Sequence, residues 1–484
     1  MMRFKAVLFA AATAVATPAA ATPADPFDLP LPPEAPVTIG AMDRLTSVLA
    51  AKLAGPAALH PRLPKKDAEA LAAFYAIGGF QPLWIADGAW TAGAKAVIGR
   101  LLAARSDALD PDEYAVPALP PGARENPAAL AEAELALSAA AVVYARDARG
   151  GRIEPSRLSK LITPKLDLPS ADAVLTRLAA AEDKNGALAA YNPPHAGYRA
   201  LRRQLAEIRA KRARANPRLE ADIVANMERW RWLPAELGER HVMVDIPQFR
   251  VRVVDGGRQV HAARAIVGKP DSPTPIFSDT MQYAVVNPSW TIPPSIMRKE
   301  ILPGLARDPY YAARRGYQVV RTATGISVRQ PPGERNALGA VKFMFPNVHA
   351  VYLHDTPNRR LFGAEKRAFS AGCVRVDQPF RLGEILLEAD GWSEERLRSL
   401  VGRGERTVRL SKHVPVHLVY FTVVADGRGG VSTAPDLYGI DAKVRGALGL
   451  DTPAIAEERP ARPGTISPRS RPSQSPGRSG AAAG

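Results

Sequence analysis

The 484-residue chain has one cysteine, few aromatic residues and too few acids to balance its bases. Cys373 stands alone, aromatic residues make up 6% of the sequence, and 64 Lys and Arg face 48 Asp and Glu. A single thiol excludes an internal disulfide. Cys373 is therefore inert and buried, bridged to another molecule, or chemically employed. The sequence pattern predicts no run of the roughly 20 apolar residues that a bilayer crossing needs. The longest candidate, Ala6 to Ala16, is shorter. It follows Arg3 and Lys5 and precedes the small residues Ala19, Ala20 and Ala21. That pattern predicts a secretory signal over 1–21, cleaved near Ala21, and a mature chain outside the cytoplasm with no transmembrane span. Export makes nucleic acid an unexpected partner despite the formal charge of +16. Part of that charge lies in a Pro-, Ser-, Gly- and Arg-rich stretch from Glu457, whose composition predicts a disordered basic tail.

What is present divides the chain by texture. Residues 22–40 are rich in Pro and Asp and read as a linker. From 41 to 235 the chain is rich in Ala and Leu with helical periodicity, as in Ala68–Tyr75 and Ala129–Arg149. Prolines such as Pro111, Pro117, Pro164 and Pro169 cut the region into short helices. The segment ends in Met227–Pro234, where Trp230 and Trp232 are expected at a domain junction, only one of them needing to be core. From His241 apolar and polar residues alternate, and Asp255-Gly256-Gly257 signals a hairpin. A mostly β domain is expected over 236–430. It contains a Pro- and Arg-rich insertion at about 288–339 with a helix near Ser295–Leu305, placed as a lid. Residues 431–484 read as a C-terminal extension. The fold class is multidomain α+β: a helical N-terminal scaffold domain followed by a mostly β domain with a lid-like insertion.

The chemistry concentrates between Val351 and Val376. His354 and Cys373 both stand at strand-to-loop transitions. A thiol is a weak nucleophile until a base or positive field favours its thiolate, and an imidazole in reach does both. Ala371-Gly372 before the cysteine permits a tight turn that aims main-chain N–H groups at a developing oxyanion. Arg375 adds positive potential suited to a carboxylate. These residues alone leave open a cysteine–histidine acyl-transfer site and a buried structural cysteine beside an unrelated histidine. His413 and His417 are separated by Pro415 among valines, which suggests strand and not a metal pair.

The segments Asn336–Asn347, Val351-Tyr-Leu-His-Asp-Thr-Pro357 and Arg367-Ala-Phe-Ser-Ala-Gly-Cys-Val-Arg-Val376 closely resemble the YkuD-fold L,D-transpeptidases, specifically the YcbB-like subgroup. Asn287–Pro294, Val267–Pro270, Met227–Pro234 and the helical N-terminal region extend the resemblance over about 40–425. It implies that Cys373 is the nucleophile and His354 the group that takes its proton. Gly372 and Cys373 then supply the oxyanion hole, and the Asp355 carbonyl holds the imidazole. Tyr352, Arg375, Ser370 and Trp290 are implied to line the substrate site. The implied reaction forms 3→3 cross-links in periplasmic peptidoglycan through a thioester between stem peptides, a tetrapeptide donor and a diamino-acid amine acceptor. It needs no metal or organic cofactor, and cell-wall synthesis proteins are possible partners. The alternatives are an L,D-carboxypeptidase, with water as acceptor, and a non-catalytic envelope-binding protein of the same fold. Two departures stand out. Ala371 occupies a position that is histidine in many relatives, and no peptidoglycan-binding module is recognisable.

Overall fold

The computed structural model describes residues 41–55, 59–210, 216–322, 325–426 and 429–451. The expected signal, linker and basic tail lie outside these residues. The N-terminal half is helical, with Ala41–Leu53, Lys65–Ile77, Ala92–Leu102 and Ala171–Ala180 packed around the long helix Pro127–Gly150. The Asn126 side chain caps that helix by accepting from the Ala129 N–H, and Pro127 follows it, where a missing N–H costs nothing. Its alanines at 131, 139, 140, 141, 145 and 148 are fully buried, so neighbouring helices approach closely. By length and composition this helix could cross a membrane, contrary to the expectation that no segment behind the leader could. However, 78% of its most apolar window is packed inside the protein, so its hydrophobicity serves the scaffold core.

Buried acids in the scaffold are all engaged. The Glu134 carboxylate accepts from the Tyr75 hydroxyl at 2.7 Å and the Leu83 N–H at 2.6 Å. Asp147 takes both arms of Arg62 at 2.7 Å and the Tyr114 hydroxyl at 2.8 Å. Asp107 binds Arg100, Arg202 and Tyr144.

The second half is built on a nine-stranded sheet. Its strands are β1 (Arg240–Asp245), β2 (Arg250–Asp255), β3 (Arg258–Gly268), β4 (Phe277–Val286), β5 (Val341–Met344), β6 (Leu353–His354), β7 (Ala368–Ser370), β8 (Val374–Val376) and β9 (Arg406–Val419). The order is β7-β3-β8-β6-β5-β4-β9-β1-β2, and β2 also pairs with β3, so the sheet closes on itself. Valines of β1, β2, β8 and β9 fill the interior with Phe343, Phe345 and Leu353. The helix Pro379–Leu387 presents Leu382 and Leu386 to that core.

The insertion between β4 and β5 has its own small core of Ile292, Met297, Ile301 and Val328. It combines a three-stranded sheet, from 290–291, 318–322 and 325–330, with a helical run over 294–307 that includes a π turn at Met297–Ile301. The helix expected near 295–305 is therefore present, with one widened turn.

Scaffold and barrel are welded together. Both Trp230 and Trp232 are buried, in different clusters, where the helical spacing required only one to be core. Trp230 stacks on Phe421 with ring centroids 4.3 Å apart, and Trp232 packs with Ile246 and Tyr420. The C-terminal extension completes the seam. Arg229 pairs with Asp441 at 2.5 Å, Arg445 reaches Asp222, and Asn226 exchanges hydrogen bonds with Thr422.

Candidate active site

Strand register places the reactive groups. His354 on β6 is paired with Lys342 on β5 and with Arg375 on β8. Paired residues in neighbouring strands share a face, so Lys342, His354 and Arg375 form one row, while Phe343, Leu353 and Val374 form the next row inward. Tyr352, two positions before His354, lies on the same face, with the Lys342 ammonium 5.8 Å from its ring centre. His354 and Arg375 of this row line a cleft of about 370 Å³ together with Tyr352 and Cys373, and the insertion closes the other side with Trp290, Ile296, Glu300 and Tyr317.

The backbone before the cysteine is pinned from several directions. Gly372 has φ 122°, a conformation that disfavours any side chain. Its N–H donates to the Ser370 hydroxyl at 3.1 Å, and that hydroxyl donates to the Cys373 carbonyl at 2.5 Å. The Gly372 carbonyl accepts from the Thr274 hydroxyl at 2.8 Å. Ser370 borders the cleft, and its hydroxyl is engaged by the loop. The Gly372 N–H, expected as an oxyanion donor, is already occupied. The Cys373 N–H has no partner among the described residues and is left for that task.

His354 is almost fully buried, and its Nδ1 donates to the Asp355 carbonyl at 2.5 Å. That bond leaves Nε2 as the acceptor in the neutral ring. The Asp355 carboxylate is held in turn by the Ala340 N–H at 2.9 Å and Arg359 at 2.9 Å. Cys373 is half-buried, and its thiol points at the Ala350 carbonyl, 4.0 Å away, with no hydrogen bond to His354 among the described residues. Ala350 itself has φ 52°, in a turn braced by Asn347, whose amide donates to the Phe345 and Val351 carbonyls. The next residue back, His349, is tied to Thr163 of the scaffold half at 2.7 Å.

Burial pushes the Cys373 thiol up to about 11, against the pull of the Tyr352 N–H and phenol and of Arg375. His354 is depressed to about 3, by burial first and then by the charges of Arg375 and Lys342. The Asp355 and Leu338 carbonyls act the other way and would accept from a protonated ring. At neutral pH the resting pair is thus thiol and imidazole, not an ion pair. Burial and the neighbouring Cys373 thiol push the Tyr352 phenol upward, against the pull of the Trp290 indole, so the insertion and the thiol both act on this one ring. Burial lowers the pKa of both Lys342 and Arg375, and the Arg375 Nε is buried without a partner among the described residues. A concave site with cations, a single acidic lining residue in Glu300 among the described residues, and one thiol suits acyl transfer from an anionic substrate.

Of the residues expected at the site, Cys373, His354, Tyr352, Arg375 and Trp290 face the same cleft, and Asp355 lies behind the imidazole. Lys342 and Thr274 were not anticipated. The family models agree with this architecture, matching a Scaffold domain at residues 69–205 and a YkuD L,D-transpeptidase catalytic domain at 239–390. The chain carries an L,D-transpeptidase domain. The L,D-transpeptidase match spans β1 to the helix after β8 and so contains every side chain of the cleft row. A Haemophilus influenzae protein, provisionally named an L,D-transpeptidase, is 32% identical over 221 residues, which are 42% of this chain and 45% of the relative. The alignment therefore spans less than half of that relative's length. Among solved structures, an L,D-transpeptidase from Mycobacterium smegmatis matches with a TM-score of 0.20 and 15% identity over 37% of this chain and 58% of its own. An Enterococcus faecium L,D-transpeptidase mutant matches with a TM-score of 0.18 and 13% identity over 37% and 50%.

Proposed function

We propose that the protein is an exported peptidoglycan L,D-transpeptidase that works through a Cys373 thioester. Cys373 Sγ attacks the carbonyl of the third, diamino-acid residue of a tetrapeptide stem. Its proton passes to His354 Nε2, the Cys373 N–H receives the oxyanion, and the bond to the terminal D-Ala breaks as its amine takes that proton. A side-chain amine of a neighbouring stem then attacks the thioester, giving a 3→3 cross-link and restoring the thiol. The observation that carries this reading is the cleft row: an imidazole of fixed tautomer beside an arginine whose buried Nε has no partner among the described residues, both flanking the one cysteine. Arg375 is suited to a stem carboxylate, and burial of the site strengthens that attraction. Because thiol and imidazole are both neutral at rest, proton transfer accompanies attack and does not precede it.

Intact-mass analysis with a carbapenem, beside Cys373→Ala, tests the nucleophile. One adduct per chain that vanishes in the variant is expected. Incubation with a tetrapeptide donor and an amine-bearing acceptor stem then distinguishes cross-linked product from tripeptide. Tripeptide alone would make the protein an L,D-carboxypeptidase. A folded protein giving neither adduct nor product would sink the proposal.

A further inference from the structure

The turn between β3 and β4 lies beneath the nucleophile and is closed by a residue from outside the matched catalytic domain. Gly268 ends β3 in a space that admits no side chain, since a Cβ there would meet the Ser272 carbonyl at 2.3 Å and the Thr274 N–H at 2.6 Å. Thr274 is 1% exposed. Its hydroxyl oxygen accepts from the Gly268 N–H at 2.8 Å, so its one hydrogen is free to go to the Gly372 carbonyl, also at 2.8 Å. Tyr438 clamps both ends of the turn. Its phenol accepts from the Thr274 N–H at 3.2 Å and donates to the Gly268 carbonyl at 2.7 Å. Tyr438 is held by its own N–H, which donates to the Tyr420 hydroxyl at 2.7 Å, and that hydroxyl donates to Asp436 at 2.7 Å.

The carbonyl of Gly372 and the N–H of Cys373 belong to one peptide unit. A planar trans peptide points these two groups in opposite directions. Holding the carbonyl on Thr274 in the interior therefore fixes the N–H on the opposite side, the side of the cleft. The Ser370 hydroxyl, on the Gly372 N–H and the Cys373 carbonyl, pins the peptide units before and after, but neither bond sets the rotation of the central one.

We propose that Thr274, clamped by Tyr438 of the C-terminal extension, is a positioning residue that aims the Cys373 N–H as the oxyanion donor. The proposal rests on Cys373 being the acylated nucleophile. It predicts that Thr274 and Tyr438 matter to acylation, where negative charge develops on a carbonyl oxygen, and not to displacement of iodide by the same thiol, where none does.

The test uses the full chain and its Thr274→Val, Thr274→Ser and Tyr438→Phe variants. Two second-order rate constants are measured at one pH by intact mass: acylation by a carbapenem and alkylation by iodoacetamide. Thr274→Val should slow acylation about 100-fold, on the order of the loss of one oxyanion donor. Tyr438→Phe should slow it about tenfold, and Thr274→Ser should restore most of the rate. Alkylation should stay within about twofold of the parent in all three, which also reports a folded site. Unchanged acylation in both Thr274→Val and Tyr438→Phe would overturn the proposal. So would a parallel fall in both reactions, which would mean that the clamp holds the thiol or the fold and not the donor. A parent chain that is alkylated but never acylated would overturn the transpeptidase reading itself, and this proposal with it.

Discussion

The scaffold half and the cleft treat charge in opposite ways. In the scaffold and along the seam, buried charges meet their opposites: Arg62 with Asp147, Arg100 with Asp107, Arg229 with Asp441 and Arg445 with Asp222. Around the cleft, Lys342, His354 and Arg375 stand in one row, and no close ion pair reaches any of them among the described residues, with Glu405 the carboxylate whose charge acts on Lys342. Burying an unmatched cation is unfavourable, so an isolated domain gains nothing from this arrangement. A ligand that brings carboxylates converts the same row into charge-assisted hydrogen bonds. Paired charge marks what holds the protein together, and unmatched charge marks what it is built to receive.

That contrast can be broken at several points. Cys373→Ser should abolish carbapenem acylation, by on the order of 10³-fold or more, because imidazole cannot offset a serine hydroxyl's high pKa here. Circular dichroism should show it folded, and a variant retaining most activity would remove Cys373 from its role. Asp107→Ala removes the counter-ion of Arg100 and Arg202 and the acceptor of the Tyr144 hydroxyl. It should cost about 3–5 kcal/mol in denaturant unfolding, as for other broken buried pairs. Arg375→Met should do the reverse, lowering kcat/KM for a tetrapeptide donor about 10- to 100-fold while leaving the unfolding midpoint unchanged or raised. If Arg375→Met destabilised as much as Asp107→Ala, the division between structural and ligand-directed charge would fail.

The pH profile sharpens the same point. With the thiol up at about 11, its deprotonated fraction grows about tenfold per unit as pH rises from 7 to 9. The iodoacetamide rate should climb with it, bending over only near 11. A plateau from pH 5 to 8 would instead reveal a resting thiolate–imidazolium pair. The smallest effect is expected from Lys342→Met. Removing one of the charges that depress His354 should raise the imidazole pKa, read by NMR as a titration midpoint moved modestly to higher pH, with less than about tenfold change in acylation.

Much of the fold and the core of the site were legible in the sequence, because both depend on local pattern. Periodicity in Ala129–Arg149 marks a helix, alternation after His241 marks strands, and the motifs around His354 and Cys373 bring their own chemistry. What escaped reading depends on register and distance. Lys342 joins the row only because β5 sets it opposite His354, and a one-residue slip would turn it into the core. Thr274 meets Gly372 across 98 positions, and nothing near either residue signals the contact. The second role of Ser370 escaped for a related reason: the bonds of its hydroxyl to Gly372 and Cys373 depend on how the loop folds back. The chain past Val419 gave little sign that Thr422 and, in the extension, Asp441 would fasten to Asn226 and Arg229, because such a seam consists of single contacts between distant segments.

The place of Tyr438 in the chain has a consequence for how the protein matures. Synthesis delivers residues in order, and Tyr438 emerges after every strand of the barrel and after the cysteine itself. The barrel has its nine strands by Val419, yet the turn under Gly372 stays unclasped until the extension arrives. A chain arrested before Tyr438 would present a folded thiol with a poorly aimed donor, so acylating power would be acquired late, as a final step of assembly.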